Sequence, residues 1–423
     1  MNSDSYLFFE NQKANKRRWI ENLILLNFII LVFFTLFGTG LPFQERTLDS
    51  FESEGTNIVN QIVYTSLFLF SLPIIFSFYN RLIDFILKEK FLSIFLIWCV
   101  ISFLWSDYSF LSIKRSFQLV VMFIVILNSL LFCDFKKLLK SLKIIIVAYL
   151  IVTYVSGIFI PGAIDSSFGT WRGLESHKNG LGQMANILFL FSLLFYDKNH
   201  KQSTKIINYF ISIFSIILVL LSGSSTAVMG FVVVVFLSII FSFEKVFLSL
   251  RLGRTIFVLL ILFIICSAII VSFSKDLLAF IPGLFDKDLT LTGRTDIWAY
   301  VWDEIQKKPL LGYGYSTYWV KGTSRIETFQ IIQSHNSYLE ITLQVGILGF
   351  LLFFILCVSF FKRIFNKNDN LAFLALLTIL ILNFTEGSLF QTRGRSTFIF
   401  MFFYILVSSF FFELKRPFKN ILK

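Results

Sequence analysis

Residues 13–40 read KANKRRWIENLILLNFIILVFFTLFGTG, four cations within six residues followed by an apolar run from Ile20 to Phe37. A basic flank before such a run marks either a secretory leader or a first membrane span. The run leaves through G-T-G-L-P-F without a small-x-small cleavage site, so an uncleaved first span is expected. Working outward, further apolar runs lie at about 58–78, 91–105, 116–132, 144–160, 181–196, 206–221, 226–243, 255–273, 338–361, 371–384 and 396–412. Several fall short of the ~20 residues that an untilted span needs, but together they set the expectation of about twelve transmembrane helices.

Composition agrees. The 423 residues are 56% hydrophobic and 15% charged, with a mean hydropathy of +0.77. A soluble domain is about 45–50% apolar and about 25% charged. No water-soluble fold of this length could hide so much apolar surface, and the charge is too sparse for a disordered chain. The expectation is an all-α polytopic membrane protein forming a single integral membrane domain over 1–423. The 56 phenylalanines are read as the codon bias of an AT-rich genome.

The net charge of +12 would raise nucleic acid as a partner of a soluble protein. Here the cations cluster between apolar runs. With the N-terminus inside, 24 of the 38 Lys and Arg fall on cytoplasmic segments. Every short cytoplasmic segment carries at least three, and no short outside one exceeds two. By the positive-inside rule both termini are cytoplasmic, membrane lipids are the surroundings, and no nucleic acid is expected. Cys99, Cys133, Cys266 and Cys357 lie in or at the end of apolar runs, with no metal or disulfide spacing. Cytoplasmic connections are short and basic and lack a phosphate-cradling glycine loop, which argues against ATP-driven transport.

The outside segments differ. They include an acidic first loop (Glu45, Asp49, Glu52, Glu54), a loop at 161–182 and a large loop at 274–335. Loops of that length are usually functional or disordered, and this one is too rich in Trp, Tyr and Leu for disorder. Its segment T-G-R-T-D-I-W-A-Y-V-W-D-E-I-Q-K-K-P reads as a helix, with apolar stripes at Ile297, Val301 and Ile305 or Trp298, Trp302 and Ile305. Thr292 is a candidate N-cap. Arg294 then falls in the first turn, where the helix dipole favours an anion.

Arg172, between Trp171 and Gly173, is a second cation for a phosphate or diphosphate headgroup, which a guanidinium grips bidentately. A plainer reading of both is contact with ordinary lipid phosphates. His335, in S-H-N-S-Y-L-E, could be part of a polar helix cap with Asn336 or Ser337 capping. Glu340 and Gln344, however, follow on the same helix, and polar residues entering a membrane segment suggest a functional site by default. His177 and Asn179, the pair Lys114 and Arg115, and Glu386, Arg393 and Arg395 are further outside polar groups, each readable as a solvated rim. No carboxylate cluster has metal spacing, so neither a metal nor a cofactor is expected.

These residues stand in wording that resembles the O-antigen ligase and polymerase superfamily, over nearly the whole chain: W-S-D-Y-S-F-L-S-I-K-R-S (105–116), W-R-G-L-E-S-H-K-N-G-L-G (171–182), G-R-T-D-I-W (293–298) with P-L-L-G-Y-G (309–314), and S-H-N-S-Y-L-E-I-T-L-Q-V-G-I-L-G (334–349). The resemblance implies a GT-C-like helical membrane fold in the bacterial inner membrane. It also implies metal-independent glycan transfer from an undecaprenyl-diphosphate-linked oligosaccharide on the periplasmic face. Carried over by position, Arg172 and Arg294 are similar to the diphosphate-binding arginines and His335 to the histidine that activates the acceptor hydroxyl. Ser225, in S-G-S-S-T-A, stands where many relatives carry a basic residue, and Lys114, Arg115, Arg393 or Arg395 could supply that charge. The wording is closer to exopolysaccharide and repeat-unit polymerases than to ligases that use lipid A-core as acceptor, and a chain-length regulator is a partner the former class allows. From a different class, a lipid-linked oligosaccharide flippase or secondary transporter also fits twelve spans, but no internal repeat is visible and the unusual polar residues gather on one face.

Overall fold

A chain this apolar must satisfy its own backbone hydrogen bonds inside each segment, because lipid offers none, and helices are the open-chain way to do so. The computed structural model bears this out. It describes residues 3–38, 58–165, 169–196, 202–242, 294–320, 333–367, 369–392 and 394–408. Among these the regular structure is helical, and Ile164 and Trp171 form an isolated antiparallel bridge. The helices are α1 (Ser3–Phe37), α2 (Ile58–Lys88), α3 (Lys90–Ile101), α4 (Ser109–Phe132), α5 (Phe135–Phe159), α6 (Lys178–Leu194), α7 (Gln202–Leu221), α8 (Ser225–Ser242), α9 (Arg294–Lys307), α10 (Ser337–Lys367), α11 (Asn370–Leu382) and α12 (Arg395–Val407).

Six of these are long and apolar enough to cross a membrane: α1 from Arg18, α2, α4, α5, α7 from Thr204, and α10. Four shorter apolar helices lie at Lys90–Leu104, Ser225–Phe236, Asn370–Leu382 and Arg395–Val407. This is a multi-pass helical membrane protein. The expected span 255–273, the acidic first loop and the candidate cap Thr292 lie outside the described residues.

Burial sorts the helices. The second half of α4, α11 and α12 are apolar on all sides and buried on nearly all sides, which is the pattern of a central helix. Phe390 and Phe400 pack edge-on at 5.3 Å, and Phe390 also meets Phe95 and Phe353 at 4.6 and 5.7 Å. α2, α7 and the second half of α10 expose Phe76, Leu220, Leu351 and Phe354, side chains suited to lipid rather than water. Buried polar contacts stitch the interior. Asn27 on α1 donates to Ser71 Oγ on α2 at 3.2 Å, and Arg363 on α10 bonds buried Glu89, which also accepts from Tyr404 of α12 at 3.1 Å.

One helix is not what its apolar run implies. α10 is broken at Gly346, whose φ of 73° and ψ of 179° belong to no helix. The break would orphan backbone groups on both sides. The segment 309–314 fills it with its own backbone: Tyr313 and Gly314 N–H donate to the carbonyls of Leu343 and Gln344 at 3.0 and 2.8 Å. In return Ile347 and Leu348 N–H donate to Pro309 and Leu310 O at 2.8 and 3.3 Å. Trp98 Nε1 takes the Val345 carbonyl at 3.0 Å. The polar turn Ser337–Val345 is therefore a short half-helix abutting the P-L-L-G-Y-G segment, and the apolar length of α10 lies beyond Gly346.

Candidate active site

Asn336 begins the site because it begins α10. Its Oδ1 accepts the N–H groups of Tyr338 and Leu339 at 2.9 and 3.1 Å, so the N-cap is Asn336 and its role is local. His335, just before the cap, is thereby held off the helix with φ of 50°, a region that non-glycine residues seldom occupy. Ser334 fixes it from the other side. Its carbonyl accepts Trp298 Nε1 of α9 at 3.0 Å, and its N–H donates to Glu340 Oε2 at 3.0 Å.

Glu340 is almost fully buried and collects three kinds of donor: the Ser334 N–H, Trp319 Nε1 at 2.9 and 3.1 Å, and Gln344 Nε2 at 2.7 Å. Gln344 Oε1 in turn accepts the Ser316 N–H at 2.9 Å. Glu340 and Gln344, the polar residues at the start of the helix, wire the 313–320 turn to the backbone beside His335. Among these, Trp319 carried no sequence signal of its own.

Glu386 joins the histidine to the arginine. Arg294, in the first turn of α9, donates from Nη2 to Glu386 Oε1 at 3.2 Å, and both side chains are only 8% exposed. His335 Nδ1 stands 3.9 Å from Glu386 Oε2, beyond hydrogen-bond range but close enough for charge to be felt. Gln333 lies on the same ring nitrogen at 3.1 Å, and a flip of its amide suits a proton on Nδ1. Burial pushes the Glu386 carboxyl up, but His335, His177 and Arg294 outweigh it and hold the group below the ordinary carboxylate range. Burial pushes the Arg294 guanidinium down and Glu386 opposes that. The Glu386 loop is itself fastened by Ser337, whose Oγ lies 2.9 Å from both Asn383 Oδ1 and the Glu386 carbonyl and accepts Leu389 N–H at 3.0 Å.

α9 packs against α10 through Ile297, Val301 and Ile305, Trp298 is buried against Phe384, and Trp302 is 39% exposed. Of the two stripes read from the sequence, the first is the packed one, with Ile297, Val301 and Ile305 in a single cluster, and exposed Trp302 breaks the second. Arg172 is buried in the loop before α6, with Nε donating to Gly162 O at 2.8 Å and Nη1 to Ser176 O at 3.2 Å. His177 caps α6, its Nδ1 accepting Gly180 N–H at 3.1 Å, and Asn179 is half-buried in the first turn of that helix.

Two candidates for the missing basic charge are engaged elsewhere. Arg115 donates from Nη1 to the Ser316 carbonyl, and Arg395 is ion-paired with Glu175 at 2.6 Å. Lys114 is half-buried on α4, Ser225 opens α8, and Arg393 lies outside the described residues. Among the described residues no group of three or more His, Cys, Asp and Glu could hold a metal ion.

The helical membrane bundle carries these buried arginines and the histidine beside one another's loops, and comparison with known proteins shows what the chain is similar to. Residues 210–354 match the family described as O-Antigen ligase, a stretch that holds Arg294, His335, Glu340 and Ser225 but neither Arg172 nor Glu386. The resemblance to the O-antigen ligase and polymerase superfamily is thereby borne out. The exopolysaccharide production protein ExoQ of Rhizobium meliloti is 35% identical over 103 residues, 21% of this chain and 24% of its own length. A protein of Rickettsia conorii provisionally named a polysaccharide ligase is 37% identical over 87 residues, 18% of this chain and 21% of its own, and a Rickettsia felis counterpart is 36% identical over 87. The chain spans only about a quarter or a fifth of the length of these relatives in each match.

Proposed function

We propose that this chain is an inverting glycosyltransferase of the periplasmic membrane face, polymerising polysaccharide repeat units from an undecaprenyl-diphosphate-linked donor. The observation that carries the reading is the Arg294–Glu386–His335 constellation. It sets a phosphate-binding cation and a proton-accepting ring on the two oxygens of one buried carboxylate.

In the reaction the acceptor hydroxyl oxygen attacks the anomeric carbon and forms the new glycosidic bond. The bond from that carbon to the phosphate oxygen breaks, its electron pair leaving with undecaprenyl diphosphate. His335 Nε2 takes the hydroxyl proton, and the Glu386 carboxylate, 3.9 Å from Nδ1, supplies the negative charge that faces the imidazolium as it forms. Arg294 and Arg172 stabilise the charge that develops on the departing diphosphate. Glu386 keeps Arg294 in place and faces the His335 ring, so it serves both halves of the transfer. The active site, on this reading, opens to the periplasm of the inner membrane.

The comparisons also support a second reading, a ligase that passes the glycan to lipid A-core or another acceptor, because the matched family and the rickettsial relatives carry ligase names. The test is purified protein with the lipid-linked oligosaccharide of its own host. Glycan lengthening is expected, and His335→Ala should lower it by about a hundredfold or more, the usual scale of a general base. Transfer to a separate acceptor without lengthening would select the ligase. Donor movement across vesicles without a new glycosidic bond would reject both in favour of a flippase.

A further inference from the structure

Glu175 stands three residues after Arg172 and two before His177, an acid in the loop that brings the first arginine to the site. Its carboxylate is buried. Oε1 accepts the Tyr149 hydroxyl of α5 at 2.6 Å, and Oε2 accepts Arg395 Nη1 of α12 at 2.6 Å. Arg395 goes on to donate from Nε to Thr35 O at 3.2 Å and from Nη2 to Leu36 O at 3.0 Å. Those carbonyls end α1, where a helix lacks partners of its own and where its dipole favours a cation. One carboxylate thus ties the loop to three helices.

The tie bears on Arg172 directly. Glu175 N–H donates to the Arg172 carbonyl at 2.9 Å, and the Arg172 guanidinium is itself aimed by the carbonyl of Ser176, the residue next to Glu175. Arg395 is nine residues after Glu386 in the same crossing from α11 to α12. The Glu175–Arg395 pair therefore registers the Arg172 loop against the segment carrying Glu386, assisted by a neutral bond from Gln183 to Ser388 at 2.9 Å.

We propose that Glu175 is a positioning residue, which through Arg395 and Tyr149 sets Arg172 for the diphosphate of the donor. The proposal rests on the reading of Arg172 as a diphosphate ligand. A glutamine at 175 would keep an acceptor oxygen but turn an NH2 against one of two donors, and it would leave Arg395 buried without its counter-ion.

A double-mutant cycle on the full-length protein in nanodiscs tests this, with undecaprenyl diphosphate itself as the probe and its Kd as the readout. Arg172→Ala should weaken binding by roughly tenfold, about one 1.4 kcal/mol step. Glu175→Gln alone should weaken it by about five- to tenfold, and the double variant should bind no more weakly than Arg172→Ala, because a residue acting through another has nothing left to act on. If Glu175→Gln lowers only the yield or the melting temperature while folded protein binds normally, or if the two effects multiply, the positioning role is overturned and the Arg172 reading stands. Should Arg172→Ala bind as the wild type does, the diphosphate reading itself falls, and the positioning role with it. Where Glu175→Gln fails to fold, Tyr149→Phe removes one bond and keeps the ion pair. Its weakening of about two- to threefold should likewise vanish in the Arg172→Ala background.

Discussion

Glu386 shows at the level of one residue how a buried charge is kept and what it is kept for. An ionised carboxylate with 8% of its side chain exposed persists only because Arg294 lies on one oxygen and His335 faces the other. Its pKa is held below the ordinary value, so the sign of the linkage is fixed: the stabilisation is fully present above the unfolded-state pKa of about 4.3 and is lost as pH falls through the depressed folded value. Glu386→Gln should therefore lower the melting temperature of the detergent-solubilised protein at pH 7, leaving Arg294 unpaired at a cost of about 3 kcal/mol. The gap between variant and wild type should hold down to about pH 5 and close only below the carboxylate range. A gap already closed at pH 6, or unchanged at pH 3, would contradict it. The sequence displayed Arg172, Arg294 and His335 because each sits in wording that a family resemblance can carry. It displayed Glu386 only as one of several rim charges, and Glu175 not at all. An acid acquires such a role by meeting a cation 92 or 220 positions away, and no local pattern encodes that meeting.

At the scale of elements, period and hydropathy disclosed the helices well and their interruptions poorly. The apolar run 338–361 reads as one span, yet α10 is two pieces joined at Gly346 and completed by the P-L-L-G-Y-G backbone. Both motifs were legible as words. That one plugs the other was not, because backbone bonds to a broken helix leave no trace in side-chain type. The break has a sharp consequence. A Cβ on Gly346 would lie 2.0 Å from the Leu310 carbonyl oxygen, in a backbone conformation that already excludes other residues. Gly346→Ala should cost about 3 kcal/mol or more, from strain and overpacking together, and the protein should fail to accumulate in membranes or melt far earlier. Gly38 supplies the control, with a φ of +75° but nothing among the described residues within 4 Å of its would-be Cβ. Gly38→Ala should carry only the left-handed penalty of about 1–2 kcal/mol. Equal melting temperatures for the two alanine variants would show that the plug is not what Gly346 serves.

For the molecule as a whole, the small charged fraction divides by side. On the orientation read from the loops, the cations at Lys136, Lys137 and Lys140 would begin α5 in the cytoplasm, while Arg172, Glu175, His335 and Glu386 lie in loops, and Arg294 in a first turn, that this orientation puts outside. A periplasmic site needs a donor that arrives already attached to its lipid, which fits the proposed site of arginines and a histidine and a sequence without a nucleotide-binding loop motif. The arrangement makes the orientation itself a test of the mechanism, since a site facing the cytoplasm would meet nucleotide-activated sugars instead. Two exposed positions distinguish the sides: Ala299 on the outer face of α9 and Lys136 in the first turn of α5. After replacement of Cys99, Cys133, Cys266 and Cys357, a single cysteine at Ala299→Cys should react with a membrane-impermeant maleimide in cells whose outer membrane alone is opened. Lys136→Cys should react only once the inner membrane is permeabilised. The reverse pattern would place Arg294 and His335 in the cytoplasm and remove the lipid-linked donor from the reaction, whatever the geometry of the constellation.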